Sequence, residues 1–138
     1  MVALRYATLD DLPAVVELWN AEAGPTRHAG QLPEATVLVA RDPHALVVAE
    51  LDGSVVGALI AGWDGWRFHI YRLAVTSGHR RAGVASALID SAVERARALG
   101  AARVDAMVNA ENVDAQGFWR SAGFDCDTAD QRWSLPLP

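Results

Sequence analysis

The sequence contains no lysine, and its one cysteine is Cys126. A lone thiol cannot close an intramolecular disulfide, which suits a reducing cytoplasm. Paired Cys or His at zinc spacing are missing, as are His-Glu-x-x-His, the Walker A string and the Ser elbow. No metal is therefore expected. No apolar run reaches the ~18 residues needed to cross a membrane. Residues 1–10 carry Arg5 and Asp10 without a long apolar core, so the start does not read as a signal peptide. Positive charge is also scarce: twelve basic residues, all Arg, stand against seventeen acidic ones, for a net charge of -5. Phosphate-backbone binding needs the opposite balance. Nucleic acid and membrane are thus set aside as partners.

What is present is a chain of 138 residues, 51% hydrophobic and 21% charged, enough for one packed domain over residues 1–138. Leu4–Ala7 reads as a strand. Thr8 and Asp11 resemble a capping box, Pro13 suits a first turn, and Leu12, Val15, Val16 and Trp19 keep helical spacing over about residues 10–22. Gly24-Pro25 ends that run, and Pro33–Ala40 can form a second short helix. Ala45–Leu51, Val55–Trp63 and Trp66–Val75 then read as a three-strand antiparallel meander, joined by Asp52-Gly53 and Asp64-Gly65 turns. A long helix over Gly83–Leu99 follows, with Val84, Leu88, Ala92, Val93, Ala96 and Leu99 on one side and Gly100 as its stop. A strand at Arg103–Val108 would complete a right-handed parallel unit. A shorter helix at 113–122 and one or two final strands, from Phe124 and Arg132–Leu135, close the chain.

The informative stretch runs from Leu73 to Ser86. A buried strand enters a loop with two Gly and two Arg, then a long helix. The first N–H groups of a helix lack intrahelical acceptors, and its dipole adds partial positive charge there. Gly83 and Ala85 keep the backbone bare. The residues suit a pyrophosphate cradle; a plain strand-to-helix loop, with Gly for close packing, is the alternative.

Arg80-x-x-Gly83-x-Ala85 resembles the acyl-CoA signature of the GNAT superfamily of N-acyltransferases. Leu73-Ala74-Val75 is similar to the end of that family's fourth strand. Downstream, Asn112-x-x-Ala115-x-x-Phe118-Trp119-x-x-x-Gly123-Phe124 matches a second family pattern, and Arg5-x-Ala7 with Asp10-Asp11-Leu12 is similar to its usual start. The resemblance implies an α/β (α+β) domain. Its central sheet would be mixed and mostly antiparallel, with about six or seven strands and about four flanking helices. A parallel strand pair would surround the CoA-binding loop. It implies an N-acetyltransferase that uses acetyl-CoA. Backbone N–H groups of Arg81, Ala82, Gly83, Val84 and Ala85, with Ser86 nearby, would hold the pyrophosphate, and the Arg80 and Arg81 side chains would add charge. Leu73, Ala74 and Val75 would line the pantetheine, with the Val75 N–H as oxyanion donor. Asn112, Ala115, Phe118 and Trp119 would flank its other side.

Amide formation from a thioester requires a neutral amine at the carbonyl carbon, and a general base assists. His69 is the candidate base, because some family members carry a basic Glu at the aligned place; a hydrogen-bonded strand His is the alternative. Period two sets His69, Tyr71 and Leu73 on one face. Tyr71 could relay a proton or bind substrate, or simply pack. Glu50 and Asp64 could attract a cationic amine, but a solvated strand position explains Glu50 more simply and a turn accounts for Asp64. Asn112 could equally be a helix N-cap. His28, His44 and His79 lie in loop-like contexts, Cys126 needs no role, and Trp63 and Trp66 flank a turn where they could form an aromatic lid over the acceptor, although cross-strand packing is the simpler account. Trp119 departs from the family, where a Tyr often protonates the departing sulfur; indole cannot act as a general acid. This leaves a degenerate acyl-CoA-binding module as a second reading. A dinucleotide enzyme fares badly without Gly-x-Gly-x-x-Gly. The acceptor, a small-molecule or peptide amine, would sit near residues 20–35 and the tail after 124. Monomer and homodimer are both compatible.

Overall fold

The computed structural model describes residues 2–22 and 32–138. These fall into two compact units, Met1–Met107 and Val108–Pro138, each considered by itself.

The larger unit is built on a five-stranded sheet in the order β1-β2-β3-β4-β5. Its strands are β1 (Ala3–Tyr6), β2 (Leu46–Leu51), β3 (Ser54–Trp63), β4 (Phe68–Val75) and β5 (Val104–Ala106). The first four pair antiparallel, and β4 pairs parallel with β5, the arrangement expected from a strand, crossover helix and strand. Asp52 and Gly53 both hold positive φ, 51° and 78°. That is the conformation a two-residue hairpin turn demands. At the second turn Asp64 Oδ1 accepts the N–H groups of Trp66 and Arg67 at 2.8 and 2.7 Å.

The helices are α1 (Leu12–Glu22), α2 (Leu32–Arg41) and α3 (Val84–Leu99). A 3-10 turn at Leu9–Asp11 precedes α1. Asp11 closes it by accepting the Thr8 N–H at 2.7 Å while its carboxylate also receives Arg5. Gly24-Pro25 and His28 lie outside the described residues. One face of the sheet packs Leu46, Val48, Ala58 and Ile60 against Leu12, Val15, Leu18 and Trp19 of α1 and Ala35 and Val39 of α2. The residue parity of β3 sends Gly57 to the opposite face, where α3 buries Val84, Leu88, Ile89, Ala92 and Ala96. Each fully buried Leu or Val contributes about 1.5–3 kcal/mol. Leu99, expected on that apolar side, is instead 41% exposed, at the turn where Gly100 ends the helix.

The smaller unit contains α4 (Val113–Ser121). The sequence leads one to expect six or seven strands; five form among the described residues. Among the described residues the tail after Phe124 forms none. Trp133, Leu135 and Leu137 do alternate, but a strand needs a partner for its backbone, and Pro136 and Pro138 remove donors from the run.

Candidate functional site

β4 is the axis of the site, and it is not regular. Ala74 lies opposite Ala58 while Tyr71 lies opposite Ile60, so β4 carries one residue more than β3 across this interval. The extra residue is accommodated at Arg72, whose φ is +56°. Such a bulge bends its strand and shifts the alternation of side chains. It corrects one expectation. His69 and Tyr71 share the α1/α2 face with Gly62 and Ile60, but the register gives Ala74, not Leu73, to that face. Ala74 accordingly packs against the core under α1 and α2.

The bulge also marks where the sheet parts. β5 pairs only with Phe68, His69 and Ile70, leaving Tyr71–Val75 without a strand partner on that edge among the described residues. Thr76 turns its N–H inward to the Val56 carbonyl at 2.9 Å. Antiparallel strands alternate the direction of their amides, so the Val75 N–H is directed to the unpaired edge.

The chain then turns through Ser77–His79, where Thr76 Oγ1 and His79 Nδ1 lie 2.8 Å apart. His79 is thus used within the loop. Arg81 and Gly83 take left-handed conformations, at φ +63° and +80°. Gly83 begins α3 without a side-chain cap, and the first intrahelical bond runs from Ala87 N–H to Gly83 carbonyl at 3.0 Å. The N–H groups of Val84, Ala85 and Ser86 therefore have no acceptor within the helix. A Cβ built at Gly83 would meet nothing within 4 Å, so the backbone is uncrowded at the point where α3 begins. Arg80 is not free: its guanidinium donates to the Glu22 carboxylate at the end of α1.

Gly57, opposite Val75, seats this helix start. A Cβ there would lie 2.9 Å from Val84 Cγ1 and 3.1 Å from Leu88 Cδ1. Sequence reasoning passed over it, although a Gly inside a strand pattern is a signal of close backbone approach.

At the other end of β4 a cavity of about 340 Å³ opens on the α2 side of the sheet. Its lining includes His69 and Tyr71 of β4, Trp63 and Asp64 at the end of β3, Leu38 and Arg41 of α2, and Met107. The Tyr71 ring lies against Gly62, within 3.7 Å of a Cβ built there. Burial pushes the Tyr71 phenol above its ordinary value. Asp64 is held below the usual carboxylate range, first by the N–H groups of Arg67 and Trp66, with a smaller contribution from nearby His69. Among the described residues the half-buried His69 ring makes no hydrogen bond. Arg95 braces the cavity from α3, donating to the Ala61 carbonyl at 2.8 Å and to Asp42 Oδ2 at 3.1 Å. The residues contributed by α2 lack any sequence signal. The acceptor was expected instead near residues 20–35 and the tail after 124, and residues 23–31 lie outside the described chain.

Other candidates have structural explanations. Glu50 pairs with Arg5 at 2.6 Å across β1 and β2. His44 stacks on Tyr6 at 4.4 Å. Trp63 packs on Phe68 rather than on Trp66, which is 81% exposed. Cys126 is exposed. Within the smaller unit, Asn112 is the N-cap of α4 and accepts the Ala115 N–H at 3.0 Å. Trp119 packs edge-on against Phe124 at 4.9 Å and Phe118 at 5.9 Å. Among the described residues no group of three or more His, Cys, Asp or Glu side chains is placed to hold a metal, and no helix is long and apolar enough to cross a membrane.

A mixed sheet whose parallel edge parts at a bulge, beside an uncapped helix start, defines a class of α/β protein able to lay an extended anionic ligand along a strand. Comparison with known proteins narrows the class. The profile of the acetyltransferase (GNAT) family matches residues 12–124. An acetyltransferase of Pectobacterium atrosepticum is 31% identical over 134 residues, covering 94% of each chain. The solved ribosomal-protein-alanine N-acetyltransferase of Brucella melitensis superposes with a TM-score of 0.76 at 27% identity, covering 91% of this chain and 86% of that one. A Mycobacterium tuberculosis protein solved in complex with CoA superposes with a TM-score of 0.66 at 26% identity, covering 84% and 70%. The chain belongs to the GNAT acetyltransferase family and is an N-acetyltransferase.

Proposed function

We propose that the protein transfers an acetyl group from acetyl-CoA to a primary amine of a small molecule or peptide, by direct attack in a ternary complex, in one functional domain spanning both compact units. The family match supports the single domain, since it runs through residues of both. The observation that carries the reading is the division of β4. Its far end offers an unpaired edge and the free amides of α3, and its near end forms the wall of a cavity holding His69 and Tyr71.

The residues fit an extended thioester co-substrate. Gly83 keeps the start of α3 uncrowded, and a diphosphate at the Val84, Ala85 and Ser86 amides gains charge-assisted hydrogen bonds worth roughly 1.5–3 kcal/mol each. The bare loop at Arg81 and Ala82 adds further amides, and Arg81 adds charge. Leu73, Ala74 and Val75 present the strand edge to the pantetheine arm. The Val75 N–H then faces the thioester carbonyl and stabilises negative charge as the amine adds. His69 takes the proton from the attacking nitrogen; its unbonded ring leaves a nitrogen available. The Tyr71 phenol, a protonated donor at neutral pH, donates a hydrogen bond that orients the acceptor. The carbon–sulfur bond breaks, the amide forms, and the thiolate leaves to be protonated by water. Asn112, Ala115, Phe118 and Trp119 of the smaller unit are assigned to the co-substrate by the family resemblance alone. Acetyl-CoA is a cytoplasmic metabolite in this reading, and the chemistry asks for no metal.

Release of CoA thiol that requires both acetyl-CoA and an amine from a broad panel tests the proposal. Release without dependence on amine contradicts it. One observation favours a second reading, an acyl-CoA-binding module. Trp119 stands where the family often has a Tyr, and its indole is packed between Phe118 and Phe124. Tight CoA binding without turnover across the panel would select that reading.

A further inference from the structure

Arg72 is the least comfortable residue of the sheet. It is neither Gly nor Asn, yet its φ is +56° in the middle of β4. A long side chain at such a position persists only when its surroundings over-determine it. Two contacts do so, and both come from Trp19. The Trp19 indole N–H donates to the Arg72 carbonyl at 2.8 Å across 53 residues of sequence. The Arg72 guanidinium lies over the Trp19 ring, 5.6 Å from its centre, within the range of cation–π attraction. Trp19 is only 4% exposed and is itself fixed in the core beneath α1. The bulge is thus gripped by its backbone oxygen and by its own side chain against one immobile ring.

We infer that Trp19 is a positioning residue: it clamps the Arg72 bulge and so holds Leu73–Val75 turned away from β5, in the conformation that receives the co-substrate arm. The bulge has no local cause. The hairpin turns of this chain are written in Asp-Gly pairs, whereas Arg72 has no such neighbour, so the conformation must be imposed from outside the strand. A partly buried backbone carbonyl needs a donor, and the Trp19 indole N–H is one for Arg72. Without that donor, β4 can relax toward regular pairing, which would return Leu73 to the face of Tyr71 and redirect the Val75 amide. The inference rests on the acetyl-CoA reading for its consequence, not for the clamp itself.

The test has an arm for each. W19F retains a buried ring and removes the N–H. It should speed amide exchange at Leu73, Ala74 and Val75 relative to β2 and β3, with no ligand present. It should also raise the KM for acetyl-CoA about three- to ten-fold, the scale of one lost hydrogen bond, while changing kcat less. R72V leaves Trp19 in place and opposes positive φ with a β-branched side chain; it should act in the same direction, and it carries the test if W19F fails to fold. Gly accepts positive φ freely, so W19F/R72G should recover much of what W19F loses. Local exchange and KM unchanged in both W19F and R72V would overturn the clamp. So would exchange that accelerates uniformly over the sheet, since that is general destabilisation. If the wild-type protein binds no acetyl-CoA, the transferase reading fails, and the exchange arm still decides whether Trp19 holds the bulge.

Discussion

The two ends of β4 are built from different materials. The end at Leu73–Val75, with the loop to α3, offers backbone: an unpaired strand edge, left-handed Gly83, and amides that no side chain caps. The end at His69 and Tyr71 offers side chains drawn from α2, β3, β4 and the residue after β5. A backbone site depends on conformation, so it constrains which residues are bare and how far apart they stand. A side-chain site depends on what the fold brings together, and it can change its lining without disturbing the strand. In the proposed reading one end takes a co-substrate that never varies, the other an acceptor that can.

Damage at the two ends should therefore separate. The largest effect is expected from Gly83→Asp, which puts a carboxylate in front of the α3 amides. Loss of two or more charged hydrogen bonds predicts about 10³-fold weaker CoA binding by calorimetry. Gly83→Ala carries the same φ strain without the charge and should lose far less; equal losses would mean that strain alone is at work. Next comes His69→Ala, expected to lower kcat about 10²-fold while acetyl-CoA affinity holds. A variant that keeps the wild-type rate and pH profile would remove His69 from the mechanism.

Gly57→Ala joins the two ends, because it pushes on Val84 and Leu88 from inside the sheet. The clash at 2.9 Å predicts about 1–3 kcal/mol of lost stability in urea melts, with a rise in KM for acetyl-CoA and none for the amine. The smallest effect is remote from both. Asp11 is held down to about 2, first by hydrogen bonding to Arg5. Because that value lies below the ordinary 3.8, the stabilisation is fully present above about pH 4 and disappears as pH falls through 2. Asp11→Asn should cost about 1–2 kcal/mol at neutral pH, allowing for the partial exposure of Arg5. The gap between variant and wild type should close near pH 2, and kcat should not move.

The same contrast explains what could be read in advance. Asp52-Gly53, Asp64-Gly65 and Gly100 announce their turns because positive φ and Asx bonding favour those residues. The Arg80–Ala85 string and the Asn112–Phe124 string announce the family because a bare helix start, a cap at Asn112 and a closing Gly123 need fixed spacing. Arg72 announces nothing. Its conformation comes from Trp19, and residue type at position 72 does not report it; hence the misplacement of Leu73. The cavity was equally silent, since Arg41, Trp63 and Tyr71 meet only after the sheet and α2 have packed. Trp133–Leu137 shows the opposite failure: the alternation of a strand is legible, but pairing is a tertiary fact.

Amide hydrogen exchange with and without acetyl-CoA reports on the backbone groups themselves. Slower exchange confined mainly to Val75, Val84, Ala85 and Ser86 is the predicted result, abolished in Gly83→Asp. Saturating binding that leaves those four amides exchanging as in the free protein would contradict the account.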